Sequence, residues 1–147
     1  MISQTAEYAL RAIVYLADQA GVCCTTAKIS EGTQIPAGYL SKVMQQLSRG
    51  GIVNSQRGLH GGFTLVKGAN QLTALEVINA VDPIQRFSEC PLRIPSHGPS
   101  LCPLHQKLDD AGGLLEEAFG GTTIAALIDV PASRRPLCRS LPADDEA

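Results

Sequence analysis

Residues 35–65 read IPAGYLSKVMQQLSRGGIVNSQRGLHGGFTL, and this stretch decides the fold. It opens on Pro36, and proline fits the first position of a helix because the N–H it lacks would have been unpaired there anyway. Leu40, Val43, Met44 and Leu47 recur at spacings of three and four, which predicts one apolar face of a helix over 36–49. Gly50 and Gly51 stop that helix. The period then changes from helical to extended, and 52–56 and 63–66 read as two short strands. Between them Arg57, Gly58, Leu59, His60, Gly61 and Gly62 form a glycine-rich turn with a cation at its base, the composition of a β-hairpin.

Upstream, Ala6, Leu10, Ile13 and Ala17 predict a helix over 3–21, with Ser3 as its cap and Gly21 as its stop. A short helix fits 26–31, bounded by Gly32. Three helices, the last two joined by a tight turn, make a helix-turn-helix, and the hairpin adds a wing. Downstream, Thr73 and Glu76 form a capping box ahead of Leu75, Val77, Ile78 and Val81, so a fourth helix runs to Asp82 and Pro83. Residues 86–103 are irregular and hold Cys90, His97 and Cys102.

A long helix follows over 104–119, with Leu104, Leu108, Ala111, Leu115, Ala118 and Phe119 on one stripe. Gly112 and Gly113 inside it cost about 1 kcal/mol each against alanine unless close helix approach needs them. Lying outside the small core, this helix is expected to pack against a partner subunit. A last short helix fits 122–128, and the Pro-, Arg- and acid-rich tail from 131 to 147 is expected to be disordered. The fold class is mainly α with a small β-hairpin wing. Its organisation is a winged helix-turn-helix over 1–82, a cysteine-containing sensor loop over 83–103, a dimerisation helix and terminal helix over 104–130, and the tail.

Composition narrows the function. No apolar run approaches the roughly 20 residues of a membrane span, and the first residues lack the basic and apolar stretches of a secretory leader. A cytoplasmic protein with reduced thiols is expected. The five cysteines, Cys23, Cys24, Cys90, Cys102 and Cys138, then argue for metal binding, redox sensing or burial rather than a disulfide framework. Cys23, Cys24 and Cys138 read as buried or exposed thiols without a role. The net charge of −2 hides an asymmetry. Residues 1–68 carry six Lys or Arg against three acids, and residues 69–147 carry six against eleven. A positive field on the helix-turn-helix half is what phosphate contact requires. No Cys-x-x-Cys, His-Glu-x-x-His, phosphate loop or nucleophile elbow is present, so catalysis is not expected.

The motifs Tyr39-Leu40-Ser41-Lys42 and Arg57-Gly58-Leu59-His60-Gly61-Gly62-Phe63 resemble the IscR/NsrR family of winged-helix regulators, the Rrf-two superfamily. TAEYALRAIVYLA at the start, LTALEVINAVD and TTIAALID also resemble it, so the similarity spans roughly 1–129 in order. The resemblance implies a homodimeric repressor or activator on a double-stranded DNA operator, its recognition helices in adjacent major grooves and its wing arginines in the minor groove. Pro36, Gly38, Tyr39, Ser41, Lys42 and Gln45 on the exposed side of the 36–49 helix, with Arg57 and His60 in the wing, are the candidate DNA contacts. The two-fold predicts half-sites about one helical turn apart.

Many members of that family hold an iron–sulfur cluster on three cysteines of the loop before the long helix, with a fourth ligand that varies. Cys90 and Cys102 occupy the outer cysteine positions, and His105 follows at the spacing of the histidine ligand. The middle cysteine is missing, and Ser96, His97 and Gly98 stand there. Glu7 matches the first-helix position that supplies a carboxylate from the other subunit in some relatives. The resemblance thus implies a 2Fe–2S cluster on Cys90, Cys102 and His105 with His97 or Glu7. Zinc could use the same donors, and a cluster-free regulator answering a metabolite or partner protein is the alternative. A winged helix used only for protein contacts leaves Arg57 and the glycine wing unexplained.

Overall fold

The computed structural model describes residues 1–137. Helix α1 (Gln4–Asp18) is the axis of the molecule. The Ser3 side chain accepts a hydrogen bond from the Ala6 N–H and starts it. Ala6, Ala9, Ala12, Ile13 and Leu16 are buried, and the small alanines let α2, α3, α4 and α6 come close on several sides. Helix α2 (Thr26–Thr33) is capped by Thr25 and ends on Gln34, which takes the left-handed conformation at φ 59°. Ser30 Oγ donates to the Ile35 carbonyl across that turn. Helix α3 (Ala37–Arg49) begins one residue later than the sequence predicts, because Pro36 stands at the cap. Leu40, Val43, Met44 and Leu47 are fully buried, as the spacing predicts.

Strands β1 (Val53–Gln56) and β2 (Gly62–Leu65) pair antiparallel in the register Val53↔Leu65 to Gln56↔Gly62. The hairpin packs Val53, Phe63 and Leu65 on the helical core and is also tied to the helices through backbone. Cys24 and Phe63 exchange two N–H···O=C bonds of 3.1 and 2.8 Å, so the α1–α2 connection acts as a third, one-residue strand. Helix α4 (Ala74–Val81) carries the predicted capping box, with Thr73 and Glu76 each bonding the other's backbone N–H.

Helix α5 (Pro103–Gly120) has 18 residues, about 27 Å of rod. Leu104, Leu108 and Leu114 stand 62%, 46% and 68% exposed along it, and Ala111 and Ala118 are exposed too. Of the stripe the sequence predicts, Leu104, Leu108, Ala111 and Ala118 are open while Leu115 and Phe119 are half-buried, and Leu114 is open as well. Gly112 has a different reason from helix-on-helix packing: a Cβ there would sit 2.8 Å from the Gln85 carbonyl and 3.0 Å from Arg86 Cδ. The chain running from α4 crosses α5 at that point.

Helix α6 (Ile124–Ile128) then returns to the first domain. Its backbone joins the start of α4 through Ala74 N–H to Thr122 O and Ile124 N–H to Leu72 O, and Ile124 is completely buried against α1. Residues 131–137, where the sequence predicts disorder, make a 3-10 turn at Ala132–Arg134. Leu137 packs on the core, and Arg135 lies 3.7 Å from Asp18. The rest of the predicted tail, with Cys138, lies outside the described residues. Among the described residues no helix is long and apolar enough to cross a membrane.

Candidate nucleic-acid interface and metal centre

The buried face of α3 fixes what its other face can do. With Leu40, Val43, Met44 and Leu47 in the core, Pro36, Gly38, Tyr39, Ser41, Lys42 and Gln45 are all exposed. Arg57 and His60 are exposed in the wing. Gly58 at φ +104° and Gly62 at φ +141° give the loop its shape. Lys42 and Arg57 make no ion pair among the described residues, so both charges are free for an anionic partner. Gly38 has open space around its Cα, which permits close approach of another backbone.

Tyr39 is less free than its exposure implies. Its hydroxyl shares a hydrogen bond with Thr5 Oγ1, and its ring meets Tyr8 edge-on at 5.2 Å. Arg11 lies over the Tyr8 ring, donates to the Thr33 carbonyl and grips both Glu7 oxygens at 2.8 Å. Tyr39 therefore ties the recognition helix to the first turns of α1. Glu7 is the partner of Arg11 in the same cluster, and it does not share a site with the loop cysteines within this chain.

The loop residues do converge. Cys90 is 6% exposed and His105 9%, while Cys102 is half-buried at the N-cap of α5. Cys102 Sγ lies 3.0 Å from His105 Nδ1, and Cys90 Sγ lies 3.8 Å from the same nitrogen. Every pair of donor atoms among Cys90, Cys102 and His105 falls within 4.8 Å. His97, in the 3-10 turn Pro95–His97, brings Nδ1 to 3.6 Å from Cys90 Sγ. The His105 backbone N–H, then its imidazole, and also the Cys90 thiol stabilise the Cys102 thiolate and lower that thiol to about 7. Burial has the opposite effect on Cys24 and raises it.

Two soft thiols and one imidazole brought together, with a second imidazole beside Cys90, are the donor chemistry of iron–sulfur or zinc binding. The residues present fit such a group without a middle cysteine, because His97 stands in its place and faces Cys90. The Phe87 ring packs edge-on against His105, with ring centroids 5.1 Å apart.

A clamp absent from the sequence reading holds this loop on α5. Arg86 donates to Asp109 through Nε and Nη2 at 2.7 and 3.0 Å, and to Glu116, while the Phe87 N–H donates to Asp109 at 2.8 Å. The only signal available was the two glycines, which mark where the loop crosses. Arg86 above all, with the Phe87 N–H, holds Asp109 down to about 2. A carboxyl lowered on folding stabilises the folded state above its unfolded pKa, and that contribution is lost as pH falls through the folded value. Wild type should therefore be more heat-stable than Asp109→Asn at neutral pH. The difference in Tm should close between about pH 4 and pH 2. Melting curves of the two proteins across that window check it, and a constant difference would refute the clamp.

A reading helix, a glycine-hinged wing and a thiol–imidazole pocket at the foot of a long helix define a winged helix-turn-helix transcription regulator. The family model described as iron-dependent transcriptional regulator, Rrf2, matches residues 2–130. A homologue from Aquifex aeolicus (strain VF5), named as an HTH-type transcriptional regulator, is 31% identical over 133 residues, 88% of this chain and 92% of its own. The chain belongs to the Rrf2 family of transcriptional regulators, and the family is one of regulators rather than enzymes. The fold is shared with CymR (YrzC), the global cysteine regulator of B. subtilis, at TM-score 0.69 and 22% identity, covering 86% of this chain and 95% of that one. It is also shared with T. potens IscR, at TM-score 0.67 and 20% identity, covering 86% and 84%.

Proposed function

We propose that this protein is a homodimeric, sequence-specific DNA-binding regulator whose DNA affinity is set by a 2Fe–2S cluster held on Cys90, Cys102 and His105, with His97 or the Glu7 position of a second copy completing the set. The observation that carries it is the convergence of Cys90, Cys102 and His105 at the N-terminus of α5. When bound, the cluster supplies a centre whose charge follows its redox state or its loss.

The chain's own residues supply the rest. Cys102 caps α5 and His105 sits in its first turn, so a change at these donors acts on the start of the helix whose open stripe suits a second subunit. Lys42, Gln45 and Ser41 of α3 meet bases or phosphates, and Arg57 enters the minor groove. A shift of α5 would change the spacing of two α3 helices across a two-fold, a bias between two states rather than a direct DNA contact.

A second metal has an observation of its own. Donors on a single tetrahedral zinc ion lie about 3.6 Å apart, given bond lengths of about 2.3 Å to sulfur and about 2.0 Å to nitrogen. The S···N separations of 3.0, 3.6 and 3.8 Å bracket that value.

Anaerobic purification separates the readings. A coloured protein with equal iron and acid-labile sulfide supports the cluster, and a colourless one with one zinc per chain replaces it. A protein without metal after reconstitution leaves a cluster-free regulator. Retention of the dimer on promoter fragments of its own genome tests the DNA function separately.

A further inference from the structure

We propose that Cys90 and Cys102 form a peroxide-driven disulfide switch when no metal occupies the pocket. This goes beyond the metal reading and does not depend on which metal binds. Among the described residues these two thiols lie far apart in sequence yet close enough in space for their sulfurs to meet, within 4.8 Å. Cys23 and Cys24 differ in this respect, since their thiols are directed to Gln56 Oε1 and to the Val22 carbonyl. The local groups suit the reaction. His105 Nδ1, 3.0 Å from Cys102 Sγ, can take the thiol proton, and half-buried Cys102 is the thiol a small oxidant reaches first. His97 stands beside the second thiol at 3.6 Å.

Each step balances. Cys102 gives its proton to His105, and its sulfur attacks hydrogen peroxide. The S–O bond forms as the O–O bond breaks, and the departing hydroxide takes the proton back as water. Cys90 sulfur then attacks the Cys102 sulfenic acid, the S–S bond forms, the S–O bond breaks, and hydroxide leaves with the Cys90 proton as a second water. Two thiols are oxidised by two electrons, and one peroxide is reduced to two waters. The remaining closure to a bond of about 2.05 Å falls on residues 91–101. These are exposed apart from half-buried His97 and Leu101, so little packing resists it. The disulfide consumes both thiolate ligands, and metal loading then waits on reduction.

The test uses the full chain, stripped with EDTA, reduced, freed of reductant and given one equivalent of hydrogen peroxide. The expected product, read under denaturing conditions, is a chain not cross-linked to a second one, lighter by two hydrogens, with the Cys90 and Cys102 peptides joined. Cys90→Ser is expected instead to hold a Cys102 sulfenic acid that dimedone captures, and His105→Ala to react markedly more slowly. A cross-link through Cys23, Cys24 or Cys138 would overturn the proposal. So would overoxidation of Cys102 with Cys90 left free, or an unchanged rate in His105→Ala. Protein preloaded with zinc chloride is a separate arm. Protection there supports a shared pocket, whereas zinc failing to bind while the disulfide still forms would count against the metal reading alone.

Discussion

Lys42→Ala and Arg57→Ala should each weaken operator binding by about tenfold or more, and the double variant by about a hundredfold or more. A group contacting DNA contributes roughly 1–3 kcal/mol, and a dimer presents every contact twice. The structure explains why these two are singled out. The four apolar residues of α3 are locked in the core, so the helix cannot roll, and its Lys42 edge stays outward. Arg57 sits at the mouth of a loop whose glycines let it follow a groove. Phosphate contacts release counterions, so the plot of log affinity against log salt should flatten by roughly one for each contact removed. Fluorescence anisotropy on a retained promoter fragment, at several salt concentrations, reads both effects. Unchanged affinity and slope in the double variant would refute the assignment of this face.

The largest stability loss from a single added methyl group is expected at Gly62. Its φ of +141° lies where side chains are strained, and a Cβ there would press on the Cys24 carbonyl and lie 2.9 Å from the Thr25 nitrogen. Those atoms are backbone and cannot swing aside. Gly62→Ala should either break the two Cys24–Phe63 hydrogen bonds or distort α2 at its cap, a loss of about 3 kcal/mol or more. In a chain of this size that is a fall in Tm of roughly 10 °C. Gly58→Ala is the internal comparison. Its φ of +104° is also unfavourable, but nothing lies within 4 Å of the added carbon, so only strain of about 1 kcal/mol is expected. Thermal melts of the two variants side by side decide it, and equal losses would mean that the close approach to Cys24 contributes nothing.

The helix-turn-helix and wing were legible in the sequence because both are written in periodicity and glycine placement. Leu40, Val43, Met44 and Leu47 announce a buried face, and the switch to extended residues after Gly51 announces strands. What escaped reading has no side-chain pattern behind it. The backbone bridge that ties the hairpin to the α1–α2 connection joins Cys24 and Phe63, and any pair of residues could have made those bonds. The return of α6 rests on backbone bonds to Leu72 and Ala74, distant in sequence. In the candidate site, Cys90, Cys102 and His105 were legible as a set only through the family resemblance, since composition alone offers five cysteines and three histidines. The Arg86–Asp109 clamp was not, since one arginine among twelve basic residues carries no mark of its partner. Tyr39 was legible as an exposed aromatic of α3, but the hydrogen bond its hydroxyl shares with Thr5 was not.

The way α6 seats Ile124 beneath α1 has a consequence for anyone who would take the molecule apart. The DNA-reading unit does not end where α4 ends, because its final wedge arrives some forty residues later, beyond the whole of α5. The parts of the chain are therefore not beads on a string but a clasp, with α5 gripped by the segment leaving α4 and tied back to α4 by the residues around α6. A fragment stopping at residue 82 would lack a piece of its own interior, Ile124, and a graft of the 83–120 segment onto another winged helix would have to carry that wedge with it.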